Sequence, residues 1–236
     1  MSDESIDHAL GGGNRESLRE SRKSKRKKVP LRGPGRCAVI VCNHLGWPEI
    51  FNLVCSPIFP GFTPKKEIVN IPFAGKIALG LQSLFVSRAA NPEEREKVVE
   101  EIVARQNLIE VENLPYQPFC VFAEGTTSNG THVLPFKRGA FAGMRTVQPC
   151  FVNLTDSAVR PCYDILNLPE LMILLCSRFS FMTSTLTIMP PFMPNDKMLE
   201  LHSDKGETDW EIYAWCVRDA ICKAADLKKF DNGSLR

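Results

Sequence analysis

The run Asn43-His44-Leu45-Gly46-Trp47-Pro48-Glu49 sets an imidazole ahead of a carboxylate by five positions. At that spacing a loop-borne histidine can reach a side chain in the first turn of a following helix. A neutral imidazole accepts a hydroxyl proton, while a carboxylate on its other nitrogen fixes the tautomer and stabilises the cation that forms. A histidine taken alone is more often structural than catalytic. This chain has four, however, and His8 stands in a polar N-terminal stretch. A second run, Phe122-Ala123-Glu124-Gly125-Thr126-Thr127-Ser128-Asn129-Gly130, gathers hydroxyls, amide groups and two glycines, and leads into Pro135-Phe136-Lys137-Arg138-Gly139-Ala140-Phe141. Such a composition can hold a polar or phosphorylated ligand, or it can be a Gly-rich hairpin turn.

Both runs sit where a strand should end. Ala38-Val39-Ile40-Val41-Cys42 is a continuous apolar run that fits a buried strand of a mainly parallel sheet. After it, Pro48 with Ile50, Phe51, Leu53 and Val54 predicts a helix that starts at the proline. Phe119-Cys120-Val121-Phe122 reads as another buried strand, stopping at Glu124-Gly125, and Leu84-Phe85-Val86 as a further one. Asn91-Pro92-Glu93-Glu94 supplies an N-cap, a first-turn proline and a glutamate three residues after the cap; Val98, Val99, Ile102 and Val103 then follow at helical spacing.

Leu168, Leu171, Met172, Leu175, Phe179 and Met182 share one helical face, and Thr183 to Ile188 alternates polar and apolar as a strand does. Thr208-Asp209-Trp210-Glu211 is a capping box opening a last helix with Ile212, Trp215 and Cys216 inward. Strands and helices alternate, which predicts an α/β fold in three layers, with a mixed, mainly parallel central sheet flanked by helices.

Taken in order, N-H-x-x-x-x-E and F-x-E-G-T-x-S-x-G-x-x-x-P-F-K-x-G-A-F resemble the glycerolipid acyltransferases of the lysophosphatidic acid acyltransferase type, and especially their lysophospholipid acyltransferase branch. Ile71-Pro72-Phe73-Ala74-Gly75 with Leu84-Phe85-Val86-Ser87-Arg88 is similar to that family's second motif, and Val147-Gln148-Pro149-Cys150-Phe151-Val152 to its fourth. The resemblance implies a glycerolipid acyltransferase-like fold and a sequential mechanism with no acyl-enzyme. His44 would be the general base, supported by Glu49, and acyl-CoA a co-substrate rather than a cofactor, with no metal. Arg88, Glu124, Gly125, Thr126, Thr127 and Lys137 would bind the lysophospholipid acceptor. The implied setting is a cytosol-facing membrane surface, of the endoplasmic reticulum or another endomembrane.

Some positions depart from the family pattern. Glu49 stands where most members have Asp, and Ala123 where Pro is common. Thr127 replaces the Arg of the phosphatidic-acid-forming enzymes, removing a bidentate phosphate clamp and favouring an acceptor whose phosphate is already esterified. A lysophosphatidic acid or glycerol-3-phosphate acyltransferase is the nearest rival, and a catalytically weak lipid-binding homologue the rival from another class. A thiol nucleophile at Cys42 or Cys120 would need a histidine beside it, and Cys42 is expected to point away from the site. Related enzymes usually carry a hydrophobic segment ahead of the first motif. Here the preceding residues are polar, which implies peripheral binding or a shortened form.

Composition bounds the rest. The chain has 236 residues, 44% of them hydrophobic, which suits one globular domain with tails: a disordered basic tail over 1–36, a domain over 37–230 and a C-terminal tail over 231–236. A net charge of +2 gives the whole molecule no strong field, but eight basic residues lie between Arg22 and Arg36. That cluster could attract an anionic bilayer at roughly 1 kcal/mol per basic residue near the surface. It could equally be a solvated tail, an import-like run or a weak RNA contact; it has no aromatics to stack bases, and no nucleic-acid partner is expected. Nine cysteines without a C-x-x-C pair argue against a disulfide framework and a zinc ribbon. The longest apolar stretch, Leu168 to Phe192, is broken by Glu170, Arg178 and Pro190-Pro191, whereas a spanning helix needs about 20 consecutive apolar residues.

Overall fold

The computed structural model describes residues 37–46, 48–71, 73–86, 91–155, 170, 173 and 183–230. The tails expected over 1–36 and 231–236 lie outside them, as does the helical face expected from Leu168 to Met182.

The strands in chain order are β1 (Val39–Cys42), β2 (Gly61–Phe62), β3 (Phe119–Val121), β4 (His132–Val133), β5 (Val147–Thr155), β6 (Thr183–Ile188) and β7 (Lys228–Lys229). Five of them form one sheet in the order β2-β3-β1-β5-β6, parallel except for the antiparallel edge strand β6. A short parallel pair, β4 and β7, stands apart from it. The helices are α1 (Pro48–Val54), α2 (Ala74–Gly80), α3 (Pro92–Glu110), α4 (Asp196–Leu201) and α5 (Asp209–Ala225).

β1 is apolar at every position because it is central and covered on both faces. Its side chains alternate between two cores. Val39 and Val41 face a cluster with Ile102 and Ile109 of α3 and Tyr213, Val217 and Ile221 of α5. Ile40 and Cys42 face a cluster with Leu53 of α1, Cys120, Cys150 and Val152. Helices thus cover both faces of the sheet, giving the three layers expected. Each large apolar side chain so buried contributes about 1.5–3 kcal/mol.

Both long helices open as their sequences predict. Asn91 Oδ1 accepts from Glu94 N–H at 2.8 Å with Pro92 behind it, and Glu211 Oε2 accepts from Thr208 N–H at 2.9 Å. At its far end α3 is tied to the sheet, where Glu110 Oε1 accepts from Ala38 N–H at 3.0 Å, one residue before β1.

Leu84-Phe85-Val86 is not a strand. It runs beside β2 with a single bridge between Val86 and Lys65: Leu84 N–H donates to the Phe62 carbonyl at 2.8 Å and Val86 N–H to that of Pro64 at 2.9 Å, but Phe62 N–H donates to the Ser83 hydroxyl rather than to a carbonyl. Gln82, at φ +54°, turns the chain just before, and the pairing stops at that one bridge. The edge strand is Gly61–Phe62 instead. Its glycine is required by close approach, since a Cβ there would lie 2.7 Å from the Leu81 carbonyl oxygen.

Candidate active site

β1 and β3 run parallel as neighbours, so their C-terminal ends leave the sheet on the same edge, and His44 and Glu124 come out side by side. The local chemistry then locks them. Asn43 is buried and acts as a surrogate peptide group: its Nδ2 donates to the Val152 carbonyl at 3.1 Å and its Oδ1 accepts from Val152 N–H at 2.9 Å. This pins the exit of β1 to β5.

The His44 ring is held from two sides. Its Nδ1 lies 2.6 Å from Glu49 Oε1, and its plane stacks on Phe122 with centroids 4.1 Å apart and an angle of 9°. Glu49, in the first turn of α1, has no solvent exposure. Its carboxylate also accepts from the backbone N–H groups of Leu45 at 3.1 Å and Gly46 at 2.9 Å. Gly46 takes φ +144°, a conformation that suits glycine and turns its N–H back on Glu49. An ionised carboxylate only accepts, so it selects the tautomer with hydrogen on Nδ1 and leaves the Nε2 lone pair as the basic one. The His44 side chain keeps 18% of its surface exposed, enough to meet a substrate.

Glu124 is turned inward. It is 2% exposed, and its two oxygens accept from His44 N–H and Leu134 N–H, each at 2.8 Å. Burial raises its pKa, against the lowering effect of those two hydrogen bonds and of the charges on His44 and Arg218. The rest of its loop is held just as closely to His44. Ser128 N–H donates to the His44 carbonyl at 2.7 Å, and Gly130, at φ +76°, lies where a Cβ would come 2.8 Å from Leu45 Cδ2.

Gly125 and Thr126 stand exposed at the tip of this loop, with Thr127 half-buried behind them. Lys137 joins the tip: its N–H donates to the Ala123 carbonyl at 2.7 Å, and its aliphatic stem passes 3.4 Å from the Cβ position of Gly125, leaving the residue exposed. The structure therefore gathers His44, Glu49, Glu124, Gly125, Thr126, Thr127 and Lys137 around one sheet edge. Arg88 lies outside the described residues.

Asn43, Phe122 and Ser128 position His44 without having been singled out in the sequence. An amide directly before the histidine and an aromatic at the end of β3 were the available signals. Cys42 and Cys120 do not offer a nucleophile. A hydrogen bond with Cys150 and burial push the Cys42 thiol well up, and burial does the same to Cys120. Cys42 lies in the core cluster beneath α1. Among the described residues no three metal-ligating side chains converge, and no helix is long and apolar enough to cross a membrane.

The sequence matches the family model described as Acyltransferase over residues 16–162, a span that includes every residue of this site. A lyso-ornithine lipid O-acyltransferase of Rhodobacter capsulatus is 34% identical over 125 residues, covering 49% of this chain and 41% of that protein. A lysophospholipid acyltransferase of Arabidopsis thaliana is 26% identical over 195 residues, covering 82% of this chain and 46% of that protein. Among solved structures, the 1-acyl-sn-glycerophosphate acyltransferase of Thermotoga maritima aligns with a TM-score of 0.49 and 19% identity over 82% of this chain and 67% of that one. The chain spans less than half the length of these two curated relatives.

Proposed function

Because the chain belongs to the acyltransferase family, we propose that it transfers a fatty acyl group from acyl-CoA to the free hydroxyl of a lysophospholipid. The observation that carries this reading is the 2.6 Å contact between His44 Nδ1 and the buried Glu49 carboxylate, which makes Nε2 the base. Support for the acceptor class comes from the two curated relatives, whose names specify a lysophospholipid and a lyso-ornithine lipid.

In this reaction Nε2 of His44 takes the proton of the acceptor hydroxyl as its oxygen attacks the thioester carbonyl. Collapse of the tetrahedral species breaks the C–S bond. The departing thiolate takes the proton back from the imidazolium, and Glu49 stabilises that cation while it exists. A thiolate leaves readily, so the protein's task is chiefly to align two reactants. Gly125, Thr126, Thr127 and Lys137 form the exposed side of the acceptor loop, and Glu124 holds that loop against His44. The acceptor is a lipid, which sets the work at a membrane surface facing the acyl-CoA pool.

The test is incubation of the purified chain with labelled acyl-CoA and a panel of acceptors: lysophosphatidylcholine, lysophosphatidylethanolamine, a lyso-ornithine lipid, lysophosphatidic acid and glycerol-3-phosphate. Label should pass to one or more of the lysolipids with an esterified headgroup or to the lyso-ornithine lipid. Label found only in products of the two phosphomonoesters would favour the rival acceptor class despite Thr127. No transfer to any acceptor would overturn the reading.

A further inference from the structure

The segment that follows β2 exposes large apolar side chains of a kind that water-facing surfaces rarely collect in one place. Val69 is 43% exposed, Ile71 48%, Phe73 80%, Ile77 60% and Leu79 56%. Phe73 caps α2, its carbonyl accepting from Ile77 N–H at 2.9 Å, so the two exposed side chains leave the chain within one turn of each other. Gly75 lets that helix lie directly on the preceding turn over Lys66–Asn70, because any Cβ there would come 2.2 Å from the Val69 carbonyl oxygen. Turn and helix are one body. Phe73 also adopts φ +65°, an unfavourable backbone for an aromatic residue, yet the residue is 80% exposed and so gains little packing against the described residues in return.

Two further observations say what meets this surface. Lys65, Lys66 and Lys76 are exposed around it, against Glu67 as the one acid from 65 to 80. An apolar face fringed by lysines is the pattern of an element lying in a lipid interface. The parallel strands β2, β3 and β1 also end on one edge of the sheet, so this segment leaves the fold on the same edge as His44 and Glu124. A row of rings links the two, with Phe62 6.4 Å from Phe122 and Phe122 4.1 Å from His44.

We infer that the body formed by residues 65–80 docks on an anionic lipid bilayer, its apolar face in the headgroup boundary and its lysines on the phosphates, bringing the edge that carries His44 to the level of the lipid headgroups. This partner rests on the lipid acyltransferase reading above.

The test floats the full chain with vesicles of phosphatidylcholine, with and without phosphatidylserine, at low and at high salt. High salt screens the charge contribution, including that of the basic run from Arg22 to Arg36. Wild type should retain a salt-resistant bound fraction, and the Phe73→Ser/Ile77→Ser pair, folded by circular dichroism, should lose about tenfold of it. Replacing Lys65, Lys66 and Lys76 by Gln should weaken the preference for phosphatidylserine at low salt. Equal flotation of the apolar pair and wild type at high salt would overturn the inference. So would a wild-type dimer that the pair converts to monomer, since the face would then belong to a second copy. Turnover of a short-chain, monomerically dissolved lysolipid separates the two readings. Both proteins should turn it over equally; its absence in both alongside the flotation loss would fail the enzymatic reading and leave the docking surface standing.

Discussion

Glu49 Oε1 serves the His44 ring and the Leu45 and Gly46 peptides together, so this carboxylate sets both the tautomer of the base and the path of the loop that bears it. Glu49→Gln keeps an oxygen acceptor but removes the charge that stabilises the imidazolium. Its kcat should fall by about 10²-fold or more. Glu49→Asp keeps the charge one methylene further back, so it should retain measurable activity; a Gln variant as active as wild type would separate Glu49 from the chemistry. Glu124 answers two backbone donors, one on each oxygen. In Glu124→Gln one of those donors faces an amide NH₂, a loss of about 1–3 kcal/mol of stability.

The pH dependence of that loss is fixed in sign. Burial raises the pKa of Glu124, so over a window above the ordinary glutamate range the folded chain keeps a proton that the unfolded chain has released. The group's contribution is whole at acid pH and declines as pH rises through the raised value. Glu124→Gln does not titrate, so its deficit in unfolding free energy relative to wild type should narrow across that window. Denaturant melts in a pH series would show it, and a widening gap would contradict the sign.

The strand ends carry the next level of control. Asn43 pairs with both peptide groups of Val152, 109 residues away. Asn43→Ala should cost about 1–3 kcal/mol by leaving them unpaired in the core. Urea melts would measure it, and kcat should drop as well because His44 is the next residue. No loss of either kind would show that β1 needs no such pin. Elements with local signals were legible in the sequence: the apolar run of β1, the N-cap and proline of α3, the capping box of α5. The His44 and Glu49 pairing was legible too, because it spans a single strand-to-helix turn. The inward turn of Glu124 was not, since its partners are set by the register of β3 on β1 and by the return of the chain at Leu134. Leu84-Phe85-Val86 misleads for a related reason. Its composition suits a strand, but the turn at Gln82 and the Ser83 hydroxyl decide how it meets β2.

At the scale of the whole molecule, two cores on either side of one sheet leave few of the described thiols within reach of solvent. Cys42, Cys120 and Cys150 are fully buried, burial pushes Cys37 up to about 12 and Cys216 to about 11, and Cys55 is exposed. Among the described cysteines, Cys55 should therefore be alkylated first in the native chain at neutral pH, with the other six protected until unfolding. Rapid native labelling of Cys42 or Cys120, read by peptide mass, would contradict the packing beneath α1. The same packing bears on the chemistry, since a protected core beneath a partly exposed His44 means that the base can be removed without unfolding the chain. The most direct measurement is the initial rate of acyl transfer from labelled acyl-CoA to lysolipid by wild type and His44→Ala, alongside their melting temperatures. A rate lower by about 10²–10⁴-fold from a variant that still melts cooperatively, at a temperature lowered by loss of the Glu49 partner, is expected; a folded His44→Ala that turns over near the wild-type rate would contradict His44 as the base.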